Sequence, residues 1–70
     1  MQTKREELIK LRKQRGYTQE EIAEKLGISR SAYANYEHGR NEPSLEMAIK
    51  ILEILRYKDI KIFLQFNATK

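Results

Sequence analysis

Between Gln19 and Tyr36 a small residue, a glycine and an aromatic ring stand at fixed distances: Ala23, Gly27 four positions on, and Tyr33 six beyond that. Few backbones satisfy all three. Ala23 lets one helix approach the next closely, and Gly27 relieves the left-handed strain of a very short turn. Ile22, Leu26, Ile28, Tyr33 and Tyr36 supply an inward-facing apolar set on both sides of that turn. The stretch therefore specifies two short helices crossing over a tight connection.

The rest of the chain is punctuated in the same way. Gly16, Gly27 and Gly39 each follow a helix-like run, and the lone Pro43 stands just before another, where its missing N–H does no harm. Thr3-Lys4-Arg5-Glu6 reads as a capping box opening a first helix over about 4–14, with Leu8 and Leu11 as its apolar edge. A second box, Thr18 to Glu21, opens a helix over 19–26. Ser29 caps a third over 30–37, with Tyr33 and Tyr36 turned inward. Ser44 caps a fourth over about 45–56, whose core stripe is Leu45, Ala48, Ile49, Leu52 and Leu55. A fifth element spans about 59–64 and is ambiguous. Ile60, Ile62, Leu64 and Phe66 alternate like a strand, while Ile60, Phe63 and Leu64 fit a helical face. A lone strand has no partner here, so a short helix with an extended tail is expected. The expected fold is all-α, with five helices in one domain over 1–66 and a tail over 67–70.

Composition narrows the function classes. Seventy residues make one small domain, which buries only ~60% of its unfolded surface. Without cysteine there is no disulfide framework and no thiolate metal site, which suits a reducing cytoplasm. No apolar run approaches a membrane span, and the first residues are too polar for a signal peptide. Catalysis is not expected. There is one histidine, no glycine-rich phosphate loop, and no paired-carboxylate site, since Glu6-Glu7 and Glu20-Glu21 read as helix N-terminal charges. No cofactor or metal is implied. The net charge is +4, and residues 1–15 account for all of it through Lys4, Arg5, Lys10, Arg12, Lys13 and Arg15 against Glu6 and Glu7. A basic end suits a polyanion; a solvated helix face is the other reading.

The run Gly16-Tyr17-Thr18-Gln19-Glu20-Glu21-Ile22-Ala23-Glu24-Lys25-Leu26-Gly27-Ile28-Ser29-Arg30-Ser31-Ala32-Tyr33, followed by Tyr36-Glu37-His38-Gly39-Arg40 and Glu42-Pro43-Ser44, resembles the XRE family of phage-repressor and Cro-like regulators. The likeness covers about residues 3–64. It implies a five-helix DNA-binding domain with a helix-turn-helix, its third helix lying in the major groove. Arg30, Ser31 and, one turn later, Asn35 match the family's base-reading positions. The chemistry agrees, because Arg can bind the O6 and N7 acceptors of guanine and Asn the N6 and N7 of adenine. Gln19 matches the position that grips a phosphate at a helix N-terminus. Thr18 and Ser29 are caps first and phosphate contacts second. His38, Arg40 and Asn41 form a polar loop expected near the DNA backbone. Arg12 and Glu37 form a partly buried ion pair in similar proteins. Glu20, Glu21 and Glu24 are expected to point away from DNA. Two features depart from the family pattern: Tyr33 replaces a smaller aliphatic residue, and the tail after Ile62 is not standard.

The resemblance implies double-stranded DNA as the partner, on a two-fold-related operator read by a homodimer, either stable or formed only on DNA. Met47, Ile51 and Ile54 make a second apolar stripe about 120° from the core stripe, and with Phe63 and Phe66 they are the candidate dimer surface. With no room for an effector-binding domain, a simple occupancy repressor is the economical reading, and no small-molecule effector is expected. The alternative is a protein-interaction or antitoxin-type module that docks through the apolar residues 60–66.

Overall fold

The computed structural model describes residues 4–63. Thr3, Leu64, Phe66 and the tail over 67–70 lie outside the described residues. Four α-helices follow one another: α1 (Glu6–Gln14), α2 (Gln19–Leu26), α3 (Arg30–Glu37) and α4 (Leu45–Leu55). A single 3-10 turn, Ile60–Phe63, stands where a fifth helix was expected, and no strand occurs among the described residues. α2 packs on α3 and α4, and the 3-10 turn bridges α4 and α1.

Short polar side chains start three of the helices. Thr18 and Glu21 close a reciprocal box, with Glu21 N donating to Thr18 Oγ1 at 3.0 Å and Thr18 N donating to Glu21 Oε1 at 2.9 Å. Ser29 Oγ accepts from Ala32 N at 3.0 Å, and Ser44 Oγ accepts from Met47 N at 3.1 Å. Each cap satisfies an N–H that the helix itself leaves open. α1 begins differently. Its N-cap is Arg5, which makes no side-chain cap bond, so the helix starts two residues later than the 4–14 reading placed it. The reason is that Arg5 turns its side chain into the protein. Its backbone (φ −83°, ψ 78°) is not helical, and the first turn cannot reach back past it.

Leu8, Leu11, Ile22, Ala23, Tyr33, Ala48, Ile51, Leu52, Leu55 and Phe63 form the buried core. This corrects the expected face of α4. Leu45 is 70% exposed and Ile49 44%, while Ile51 is fully buried. Phe63, proposed with Ile51 for a dimer surface, is also in the core. Met47 and Ile54 are half-buried against it. Eight of the eleven residues of α4 are apolar, so periodicity alone admits more than one inward stripe. The rotation is chosen by neighbours, with α2 on one side and the 3-10 turn on the other. α4 then ends on Arg56, in the left-handed region at φ 57° without a glycine.

Truncating Ile51 to Ala should cost about 2–5 kcal/mol, the range for a buried aliphatic side chain. Ile49→Ala should cost under about 1 kcal/mol, as surface changes do. Urea unfolding at dilute protein distinguishes this packing from one with Ile49 inside.

Candidate nucleic-acid interface

α2 and α3 are joined by the shortest connection in the fold. Ile28 N donates to Ala23 O at 3.0 Å and Gly27 N to Glu24 O at 3.1 Å, the paired bonds of a Schellman closure. Gly27 takes φ +76°, and a Cβ built there would meet no atom within 4 Å. The glycine is therefore needed for its backbone angle and not for space. Ser29 follows at once as the cap of α3, so the first residues of that helix stand at the surface. Arg30 and Ser31 are exposed, and Asn35 is half-buried one turn on.

Arg30 is held in place. Its Nη1 donates to Gln19 Oε1 at 3.0 Å, and Gln19 Nε2 donates to Glu37 Oε1 at 2.9 Å. Glu37 is buried and paired with Arg12, whose Nε donates to Oε2 at 2.6 Å and whose Nη2 donates to Oε1 at 3.3 Å. Arg12 Nη1 completes the set by donating to the Tyr17 carbonyl at 2.8 Å. A continuous hydrogen-bonded chain thus runs from the exposed start of α3 into the core. Gln19 has spent its oxygen and one N–H on this chain, which leaves its second amide N–H for an outside acceptor.

The loop after α3 is ordered by the same helix. Arg40 N and Asn41 N donate to Asn35 O at 3.0 and 3.3 Å, and Arg40 Nη1 donates to Asn35 Oδ1 at 3.3 Å. The Asn35 side chain is therefore tied to Arg40. His38 is half-buried and forms the C-cap of α3, while Arg40 and Asn41 are exposed. Thr18 and Ser29 are exposed caps. Glu20, Glu21 and Glu24, expected to point away from DNA, line an open groove with Thr18, Ala23, Ile28 and Arg30, so an acidic edge borders the exposed start of α3 more closely than that expectation placed it.

Sequence reasoning missed Arg5. It counted Arg5 among the six basic groups of residues 1–15 and singled out only Arg12 for a buried ion pair, but the structure buries both and ties Arg15 Nε to Leu55 O at 2.7 Å. The Arg5 backbone N–H donates to Glu37 O at 2.8 Å, and its guanidinium donates to the Tyr36 carbonyl. Nothing in the local sequence separates this arginine from its solvated neighbours. Among the described residues no cluster of metal-ligating side chains occurs, and no helix is long and apolar enough to cross a membrane.

Tyr33 lies beneath this face, fully buried and edge-on to Tyr36, with ring centroids 6.4 Å apart. Its hydroxyl is buried without a hydrogen-bond partner among the described residues. Burial first, and the Glu37 carboxylate second, push its ionisation far above the ordinary tyrosine value. The unfolded chain releases that proton near pH ~10 while the folded chain keeps it. Above that pH the unfolded state binds fewer protons, so stability falls by about 1.4 kcal/mol per pH unit. Below it the group adds no pH dependence. Tyr33→Phe should match or slightly exceed the wild type at pH ~7, since a partnerless hydroxyl is removed. It should gain on the wild type steadily above pH ~10. Urea unfolding across that range reads the difference, and parallel curves would contradict it.

Comparison with known proteins bears on this surface. Residues 8–62 match the sequence model of a family described as "Helix-turn-helix". The chain is 50% identical over 50 residues to YqaE of Bacillus subtilis (strain 168), an uncharacterized HTH-type transcriptional regulator, covering 71% of this chain and 43% of that protein. It is 44% identical over 50 residues to YonR of the same organism, an SPbeta prophage-derived uncharacterized HTH-type transcriptional regulator, covering 71% and 46%. It is 43% identical over 47 residues to MJ0272 of Methanocaldococcus jannaschii, an uncharacterized HTH-type transcriptional regulator, covering 67% and 71%. The chain spans less than half the length of the two Bacillus relatives. No solved structure matches it at a significant level.

Proposed function

The chain belongs to the XRE family of helix-turn-helix transcriptional regulators, and from that premise we propose that it binds specific sites in double-stranded DNA and represses by occupancy. α3 enters the major groove. The observation that carries this reading is Arg30, exposed at the first position of α3 and aimed by Gln19 from a buried ion pair. A guanidinium biased in this way is suited to the paired acceptors of guanine, because part of its side-chain freedom is already restricted before binding. Ser31 lies beside it. Asn35 reads adenine through both amide atoms only if Arg40 releases its oxygen; otherwise it contributes a donor and orients Arg40. Phosphates are met by the N-termini of α2 and α3 through Thr18, Gln19 and Ser29, and by His38, Arg40 and Asn41.

One recognition helix reads too few base pairs to find a single site in a genome, so two copies act together on half-sites about 34–36 Å apart. Ile51 and Phe63 are committed to the core and are not free to form a seam between them. An open apolar groove remains on the other side of α4, lined by Leu45, Ile49, Leu52, Tyr57 and Ile60 and edged by Glu53 and Lys58. Opposite charges on one rim allow a second copy to pair Glu53 with Lys58 of the partner subunit in a two-fold arrangement.

Selection from a random duplex library tests the first claim. The expected result is a two-fold-related consensus bound with steep salt dependence, in which Arg30→Ala relaxes one guanine position by about 1–3 kcal/mol. Absence of any enriched site, with weak binding indifferent to salt, would move the reading to a protein-docking module. Sedimentation tests the second. Ile49→Asp should keep its melting temperature as a monomer yet lose concentration-dependent dimer mass, and unchanged association would exclude this groove.

A further inference from the structure

Arg5 has a bonding pattern that neither the core nor the proposed DNA surface accounts for. Its side chain is 1% exposed, although it precedes the first helix. A buried cation needs compensation. Among the described residues its ion-pair partner is Glu42, 3.6 Å away and 77% exposed, which is poor geometry for a strong pair. The close partners are backbone oxygens instead. Nη1 donates to the carbonyl of Tyr36 in the last turn of α3 and to that of Asn41, at 3.3 Å, beyond the following turn. The Arg5 N–H takes the Glu37 carbonyl at 2.8 Å, and the Phe63 ring closes over the guanidinium at 5.9 Å. The charge thus sits at the C-terminal end of α3, where the helix dipole favours a cation.

The loop between these two carbonyls carries His38, Arg40 and Asn41. It is gripped from inside, where Arg40 N and Asn41 N donate to Asn35 O, and it turns on Gly39 at φ +77°. Arg5 supplies a second grip from the buried side, through the carbonyls of Tyr36 and Asn41. We propose that Arg5 is a positioning residue for DNA binding: it fixes the 38–42 loop against the end of α3, so that Arg40 and Asn41 are presented to phosphate at a set distance from the recognition helix. Arg5 touches no phosphate itself. The inference rests on the loop being a phosphate contact, as proposed above.

The test is a double-mutant cycle of Arg5→Met with Arg40→Ala in the full chain. Each variant is checked as folded by circular dichroism at the assay temperature. Binding is measured on a duplex taken from the random-library selection, across a salt series, and amide exchange is read on the free protein. Arg5→Met should weaken binding by about tenfold and lower the salt slope by about one, as loss of a phosphate contact does. The double variant should be weaker than Arg40→Ala alone by clearly less than the tenfold that Arg5→Met costs the wild type, because only the Asn41 contact is left to lose. In the free protein the amides of Arg40 and Asn41 should exchange at least about tenfold faster, while those of Gly27 and Ile28 keep their rates. Wild-type affinity with unchanged loop exchange overturns the proposal. So do additive losses with exchange accelerated everywhere, which mark a purely structural arginine. If the wild type binds no duplex, the functional reading fails separately, and the exchange data alone decide whether Arg5 sets the loop. Should Arg5→Met not fold, Arg5→Lys, which keeps the cation with a shorter reach, is judged by the same criteria.

Discussion

The ion pair between Arg12 and Glu37 is the point at which separate parts of the chain are made to agree. Desolvating two charges is expensive, and a buried pair often does no better than a hydrophobic replacement of equal volume. What makes this one tolerable is its saturation. All three Arg12 nitrogens have acceptors, and Glu37 Oε1 takes a further bond from Gln19. α1, the Tyr17 turn, the start of α2 and the end of α3 therefore share one polar centre, and a slip of any of them leaves a buried charge short of a partner. The apolar core supplies cohesion without direction; this centre supplies direction.

Where the backbone's own chemistry marks an element, the sequence was readable. Thr18, Ser29 and Ser44 stand where caps must stand, Gly27 takes the left-handed angle its turn requires, and the limits of α2 and α3 follow. Legibility failed where the deciding partner is remote. α4 is apolar over most of its circumference, so its inward face is set by α2 and Phe63 and not by its own pattern. Its end falls at Arg56, a residue no turn rule would select. Arg5 looked like a surface base because its partners, the carbonyls of Tyr36 and Asn41, lie more than thirty positions away.

The candidate surface divides along the same line. The place of Arg30 at the head of α3 came from cap and turn spacing, and its candidacy as a base reader from the family resemblance. Its restraint by Gln19 depends on two helices meeting, which the spacing of either alone does not encode. The charge pattern changed most. What read as one basic end separates into two internal arginines and an outer set of Lys4, Lys10 and Lys13, with Arg15 partly engaged at the end of α4. Net charge therefore overstates what α1 can offer an anion.

The chain of bonds from Glu37 through Gln19 to Arg30 has a polarity fixed at its buried end. A carboxylate can only accept, so the Gln19 amide must turn its nitrogen inward and its oxygen outward. The oxygen then demands a donor from the first residue of α3. Lysine, which has a long reach and three N–H donors, can meet it from position 30; glutamate cannot donate, and an aliphatic side chain leaves the oxygen to water. The alphabet open to this position is thereby filtered from within the fold, before any base pair has a say. Divergence toward new binding sites at position 30 would be biased toward hydrogen-bond donors, with Gln19 the position at which a compensating change would relax that bias.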